Sequence, residues 1–467
     1  MSEVCPTHDP TPLLAARAEA SNVAERGAAL RVAETPVRPR RLLLCLDGVP
    51  FDLITEAKSR GQFDSFRDPA RLLSPFPTLT NVALAQMLCA SPPNGYESLY
   101  FDREARELRG GVGKYIGRRT PDKVPSSYMD ELDYQEPLPF EFLIYVATER
   151  VWRADMRRFR ERFLSAPPAR DFFGFIKATD GLLHIRGPRQ LLVALRSLDQ
   201  LLREIQQAAG SETEIVLFSD HGMNLEENRK VHLQTHLRRG GYEFVRDMRR
   251  PRGKRRISTP AFGLCGYAAL YCGDETDRAE LADALCQLEG LDFSIYREGD
   301  DAAVVKGARG HAVIRRARRG AATLYAYEQR DGDPLGLACV ARAMRDEGLL
   351  DEGGFASDSA WLARTWRHVY PDALANIYES VHAPRVRHTA DVLVSMRDGH
   401  YFGATPFSRF TRILATHGNA LRASSTAFLM STHRTLPQYV RSNEARPLLR
   451  GPRADEMVSG PHGFASP

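Results

Sequence analysis

The sequence predicts an α/β protein: a central, mostly parallel sheet flanked by helices, with a small α+β insertion. Three observations carry this. The runs Arg41 to Gly48, Phe172 to Asp180 and Glu214 to Asp220 are short, apolar and end at an acid or a glycine. Unbroken apolar character over so few residues marks a strand covered on both faces, as in a parallel sheet. Between the second and third runs, Arg189 to Ile205 repeats Leu191, Leu192, Leu195, Leu198, Leu201, Leu202 and Ile205 at helical spacing, with Arg196, Asp199 and Arg203 opposite. Strand, helix, strand is the right-handed crossover unit of an open sheet.

Taken in order, residues 1–39 form a peripheral leader that ends in the stiff linker Pro36–Pro39. Residues 40–241 supply the first part of the core. At about Tyr242 the texture shortens, and residues 242–340 read as an α+β insertion or cap. A basic linker, Arg249 to Arg256, opens it. Strands follow at Gly266–Cys272, Leu291–Tyr296, Ala302–Lys306 and Ala322–Tyr327, with a helix at Asp277–Gln287. Residues 341–436 return to the core, with strands at Ala390–Met396 and Thr426–Met430. The polar tail, 437–467, is expected to add little.

Composition bounds the function classes. At 467 residues with 43% hydrophobic and 26% charged side chains, the chain is neither a mini-protein nor disordered. The seven cysteines are scattered from Cys5 to Cys339 without a CxxC pair, which argues against a disulfide framework and for a reducing compartment. Thr11 to Val32 mixes Leu13 and Leu14 with Arg17, Glu19, Glu25 and Arg26, unlike a secretory signal. No run approaches the ~18 apolar residues of a membrane span. A cytoplasmic location is the expectation. Net charge is only +5, but arginine outnumbers lysine 57 to seven. Its planar fork suits phosphate, so phosphate chemistry is worth seeking.

Three of the expected strands end in aspartate, and ligands of open sheets bind beyond those ends. Ser219-Asp220-His221-Gly222-Met223 sets an acid and an imidazole at one such end, both good ligands for zinc or a similar ion. Asp180-Gly181-Leu182-Leu183-His184 spaces another such pair by about one helical turn. Asp47 ends the first strand. Pro77-Thr78-Leu79-Thr80 precedes Val82 to Cys89, which can form a helix behind Thr80. Free N–H groups at that helix start would suit an anionic group on the threonine oxygen. A threonine hydroxyl attacks at neutral pH only when a metal or base activates it.

This ordered set resembles the alkaline phosphatase superfamily, most closely its type I phosphodiesterase and nucleotide pyrophosphatase branch. The resemblance runs from Arg41 to about Ser431 and includes a late His417-Gly418. It implies two divalent ions, zinc in the first place, with manganese or iron as alternatives. Asp47, Asp220 and His221 would hold one ion, with Thr80 on it as nucleophile; Asp180, His184 and His417 would hold the other. It further implies hydrolysis of phosphodiester or nucleotide pyrophosphate bonds, in a small-molecule phosphate ester or nucleotide, through a phosphothreonine. The sequence departs from the family pattern after Thr80, where Asn81-Val82 stands and no clear downstream asparagine follows. Asn81 is the candidate for the oxyanion contact. Phosphomonoester or phosphonate hydrolysis at the same site is the alternative activity.

Other features of the sequence point less sharply to chemistry. Tyr96, Tyr100 and Phe101 are candidates for stacking on a base or aryl group, against core packing. His232 and His236, four apart, read as ordinary helix residues. Gly110 to Tyr115 lacks the first glycine and the hydroxyl of a phosphate-binding loop. The runs Arg249–Arg256 and Arg315–Arg319 read as exposed loops that could meet nucleic acid or an anionic surface, the basis of a non-catalytic alternative.

Overall fold

Leu42, Leu43, Leu44, Cys45 and Leu46 are all fully buried, so the strand Arg41–Leu46 is covered on both faces, as its apolar run requires. The computed structural model describes residues 40–111, 124–144, 146–168, 170–250, 253–403 and 412–450. The expected leader, 1–39, and the end of the tail lie outside them. Arg41–Leu46 pairs in parallel with Phe172–Ile176 on one side and Glu214–Ser219 on the other. Tyr134–Gln135 extends the parallel set at one edge. On the other side Thr426–Ser431 runs antiparallel to both Glu214–Ser219 and Ala70–Leu73, and Tyr439–Arg441 closes the seven-stranded sheet.

The long helix Ala178–Ala209 is two helices joined at Gly187, whose φ of 73° breaks the helical path before Pro188. Proline is at home in the first turn of the second piece, where its missing N–H costs nothing. Leu191, Leu195, Leu198, Leu202 and Ile205 of that piece bury against the sheet as their spacing predicts. The short first piece carries Asp180 and His184. No helix among the described residues is long and apolar enough to cross a membrane. The six described cysteines are free thiols.

A second, nine-stranded sheet is almost wholly antiparallel. It contains the expected strands as Tyr267–Cys272, Leu291–Glu298, Ala302–Gly307 and Ala322–Gly332, and the expected helix as Arg278–Leu285. Asp277 caps that helix, accepting from the Ala279 and Glu280 N–H groups.

Three sequence expectations change. Val392–Met396 sits between Tyr267–Cys272 and Leu291–Glu298 in the second sheet, not in the first. An apolar strand covered on both faces reads alike whichever sheet it joins. Arg315–Arg319 is the end of a strand, Gly310–Arg319, rather than a loop. Arg315 pairs with Glu328 at 2.6 Å and Arg319 with Asp351 at 2.6 Å, so this run is no bare cationic surface. The tail contributes an edge strand, and its Arg441 forks onto Asp358 (2.5 and 2.6 Å) and Asp372 (2.7 Å to each oxygen).

Removing the Arg441 fork leaves the buried Asp372 carboxylate without its cation. Arg441→Met is expected to lower the unfolding free energy by about 3 kcal/mol, read from the denaturant midpoint at unchanged slope.

Candidate functional site

Asp47 and Asp220 follow two neighbouring parallel strands, so both carboxylates emerge at the same edge of the sheet. Gly48, with φ of 71°, turns the chain there and donates its N–H to Asp220 Oδ1 at 3.1 Å. A side chain on Gly48 would meet Met223 at 2.9 Å and Asp180 at 3.3 Å. Gly222 is equally constrained. A Cβ there would lie 2.2 Å from the Ala423 carbonyl oxygen, which is why glycine must follow His221.

The structure gathers six of the expected residues into two groups whose ligand atoms lie within 4.8 Å of one another: Asp47, Asp220 and His221, and Asp180, His184 and His417. His221 Nε2 lies 3.5 Å from Asp47 Oδ1 and 3.4 Å from Asp220 Oδ2. In the other group, Asp180 Oδ1 is 3.3 Å from His184 Nε2 and 3.5 Å from His417 Nε2. The His221 and His417 rings stack with centroids 4.1 Å apart, which brings the groups together. Thr80 joins the first group. Its hydroxyl donates to Asp47 Oδ1 at 3.2 Å and lies 3.4 Å from His221 Nε2.

These donor separations are long for hydrogen bonds. They match ligands of one ion: bonds of about 2.0–2.1 Å at a tetrahedral angle set neighbouring donors about 3.3–3.4 Å apart. Asp180 Oδ1 and Asp220 Oδ2 are buried without a hydrogen-bond partner among the described residues, as a metal-facing oxygen would be.

The histidines are oriented for the same task. Each points Nδ1 at a backbone carbonyl: His184 at Ala415 (2.7 Å), His221 at Gly222 (2.9 Å) and His417 at Thr78 (2.8 Å). A carbonyl only accepts, so each ring carries its proton on Nδ1 and turns the Nε2 lone pair into the cluster. The residues present therefore fit two cations.

Burial drives the electrostatics. It pushes the Asp47 carboxyl well above the ordinary range, with the Asp220 and Asp180 charges adding to it. Asp220 is pushed up to about 6, again by burial, with the Gly48 N–H opposing. Burial also lowers His221 to about 4 and His417 to about 3, keeping both neutral as ligands must be. Without metal, burial of Asp180 is outweighed by attraction to His184, whose own pKa the Asp180 charge raises, and the carboxyl falls well below its usual range.

Thr80 opens the helix Thr80–Met87, whose first turn has no side-chain cap. Its N-terminal dipole end thus faces whatever sits on the threonine oxygen. Asn81 Oδ1 accepts from the Tyr128 hydroxyl at 2.7 Å, which leaves Nδ2 as the donor end of the amide. The aromatic trio lies elsewhere. Tyr96, Tyr100 and Phe101 are only 3–4% exposed. Tyr96 OH accepts from the Ala390 N–H, Tyr100 stacks on His388 and Phe101 packs on Tyr271. So buried, they have no ring face to offer a substrate, and the stacking expectation is replaced by core packing. His236 Nε2 bonds the Ala284 carbonyl, an ordinary helix contact. In the basic linker, Arg249 pairs with Asp247, Arg255 with Glu280 and Arg256 with Glu243; residues 251 and 252 lie outside the described set.

Sequence reasoning missed the supporting layer. Thr78 Oγ1 donates to the Asn419 carbonyl (3.1 Å) and accepts from Gly418 N (2.8 Å), tying the Thr80 segment to His417. Behind it, Asp398 Oδ1 accepts from Asn419 Nδ2 at 2.9 Å and from Asn224 Nδ2 at 3.3 Å. Partners some 340 positions apart leave no local signal.

Asp47→Asn keeps the acceptor for Thr80 but removes a repelling charge. The folded metal-free protein keeps a proton on Asp47 above pH ~4, where the unfolded chain loses it, so ionisation favours unfolding as pH rises. The variant is therefore expected to melt higher than the parent when metal-free, by an amount absent near pH 4 and growing toward neutrality. A gain on the order of 1–3 kcal/mol at pH 7 is expected.

Residues 101–312 match the family model of type I phosphodiesterase / nucleotide pyrophosphatase. That span includes Asp180, His184, Asp220 and His221. No curated protein matches the chain. Among solved structures, phosphonoacetate hydrolase from Sinorhizobium meliloti 1021 in complex with phosphonoformate aligns at 13% identity and TM-score 0.48, covering 88% of this chain and 94% of that one. Murine ectonucleotide pyrophosphatase / phosphodiesterase 5 aligns at 12% identity and TM-score 0.44, covering 91% and 97%. Over residues 101–312, which hold two of the motifs singled out in the sequence, the chain is similar to the type I phosphodiesterase / nucleotide pyrophosphatase family.

Proposed function

We propose that this phosphohydrolase acts on phosphodiesters or nucleotide pyrophosphate bonds, with Thr80 as nucleophile beside two divalent metal ions. One observation carries the reading: three buried histidines, each fixed at Nδ1 by a carbonyl, turn Nε2 toward the buried Asp47 and Asp220 and the half-buried Asp180, with the Thr80 hydroxyl beside Asp47 and His221.

Asp47, Asp220 and His221 would hold one ion, and Asp180, His184 and His417 the other. When bound, such ions neutralise charge at phosphorus and lower the pKa of a hydroxyl or water. Imidazole and carboxylate donors without a thiolate suit zinc, with manganese or iron as alternatives.

The chain's own residues do the rest. Asp47 accepts the hydroxyl proton's hydrogen bond and so directs a Thr80 lone pair outward. Thr80 Oγ1 attacks phosphorus as the bond to the leaving oxygen breaks. The threonine phosphoester then yields to water, which restores the hydroxyl and releases the second product. The helix start at Thr80 and the Asn81 amide, held through its oxygen by Tyr128, offer N–H donors to the phosphoryl oxygens.

Metal-replete protein is expected to hydrolyse bis(4-nitrophenyl) phosphate faster than 4-nitrophenyl phosphate. Chelation should stop both reactions and zinc or manganese restore them. Monoester preference would move the reading to a phosphatase, and silence with every metal would remove the enzyme. Thr80→Ala should cut kcat by at least about 10³-fold while Asp47, Asp220 and His221 still retain their ion. Wild-type turnover in that variant would sink the nucleophile.

A further inference from the structure

The approach to Thr80 is irregular yet inaccessible: Ser74 to Leu79 are all buried, and regular structure begins only at Thr80. Buried backbone groups need partners. Here they come from side chains some three hundred residues away. Asn376 Nδ2 donates to the Ser74 carbonyl at 3.0 Å, and Asn376 Oδ1 accepts from the Phe76 N–H at 2.8 Å. The carboxamide thus does for one stretch of chain what a neighbouring strand would. Arg385 Nη1 donates to the Phe76 carbonyl, and to the Asn376 side-chain and main-chain oxygens at 3.0 Å each. A guanidinium only donates, so it also fixes which end of the Asn376 amide faces it. Both residues are almost fully buried, at 7% and 6% exposed.

The clamped stretch reaches both metal-ligand groups. Ser74 Oγ donates to the Asp220 carbonyl at 2.6 Å, and the Thr78 carbonyl accepts from His417 Nδ1. Asn376 itself lies on the helix Ala373–His382, whose Ala373, Leu374 and Ile377 pack with Phe76 and Leu79 in the core under the second sheet.

We propose that Asn376 and Arg385 are positioning residues for the nucleophile, holding Ser74–Phe76 so that the Thr80 hydroxyl stands between Asp47 and His221 before substrate arrives. This rests on the reading of Thr80 given above. The second sheet and its helices then serve the chemistry by anchoring the nucleophile segment, through groups that touch neither metal nor substrate.

The test compares Asn376→Ala, Arg385→Met and the conservative Arg385→Lys with the parent, all zinc-replete. Turnover of bis(4-nitrophenyl) phosphate, metal content and peptide hydrogen exchange are measured together. Expected are kcat values lower by about 10²-fold for the first two, KM and metal content unchanged, and partial recovery with lysine. Exchange should rise about tenfold in peptides spanning residues 74–84 and stay at the parental rate in the strand Phe172–Ile176. Parental kcat in both variants overturns the proposal. So does activity that falls only in step with global exchange and metal loss, which marks a purely structural role. A parent protein inactive with every metal sinks the reading of Thr80 instead, and that outcome is seen in the control alone.

Discussion

Three aspartates share one buried edge of the first sheet, and this crowding of negative charge organises everything around it. Asp47 and Asp220 arrive there because parallel strands end in register, and Asp180 because its helix starts just after the next strand. Asp47 and Asp220 are almost wholly buried, so like charges here are costly and one remedy is protonation, toward which both raised carboxyls lean. The other remedy is a cation. The carbonyl-held histidines favour the second, since they offer lone pairs where a merely charge-neutralising design would place arginine or lysine.

Much of this was legible in the sequence because it is local. A strand that ends in aspartate, an Asp-His pair, an Asp and His one turn apart and a threonine before a helix each occupy a few consecutive residues. Asp47, Thr80, Asp180, His184, Asp220 and His221 could be picked out that way; His417 needed the family resemblance. What stayed hidden is non-local. Thr78 and Asn376 are unremarkable residues whose importance lies in partners some three hundred positions away. The strand Gly310–Arg319 was hidden for another reason: its arginine-rich end needs no apolar face, because ion pairs to Glu328 and Asp351 cover it. Sheet membership also escaped, since Val392–Met396 is as apolar as any strand of the first sheet.

Arginine, whose abundance first suggested phosphate, is also built into the fold at a few positions. Arg385 satisfies backbone carbonyls, Arg441 ties the last strand to two helices, and Arg41 forks onto Asp171. The delocalised guanidinium can be buried with its donors matched to several oxygens, which the compact lysine ammonium does less well.

The strand Thr426–Ser431 lies inside the first sheet, between Ala70–Leu73 and Glu214–Ser219, although it follows both of them in the chain by some two hundred residues or more. Until it emerges from the ribosome, both of those strands present open edges and His417 is not yet in place. A nascent or truncated chain is therefore left with a gap in the middle of its sheet, the situation in which exposed edges recruit other chains. The protein's passage through synthesis thus hinges on six late residues, and an early stop codon should yield aggregation rather than a smaller functional protein.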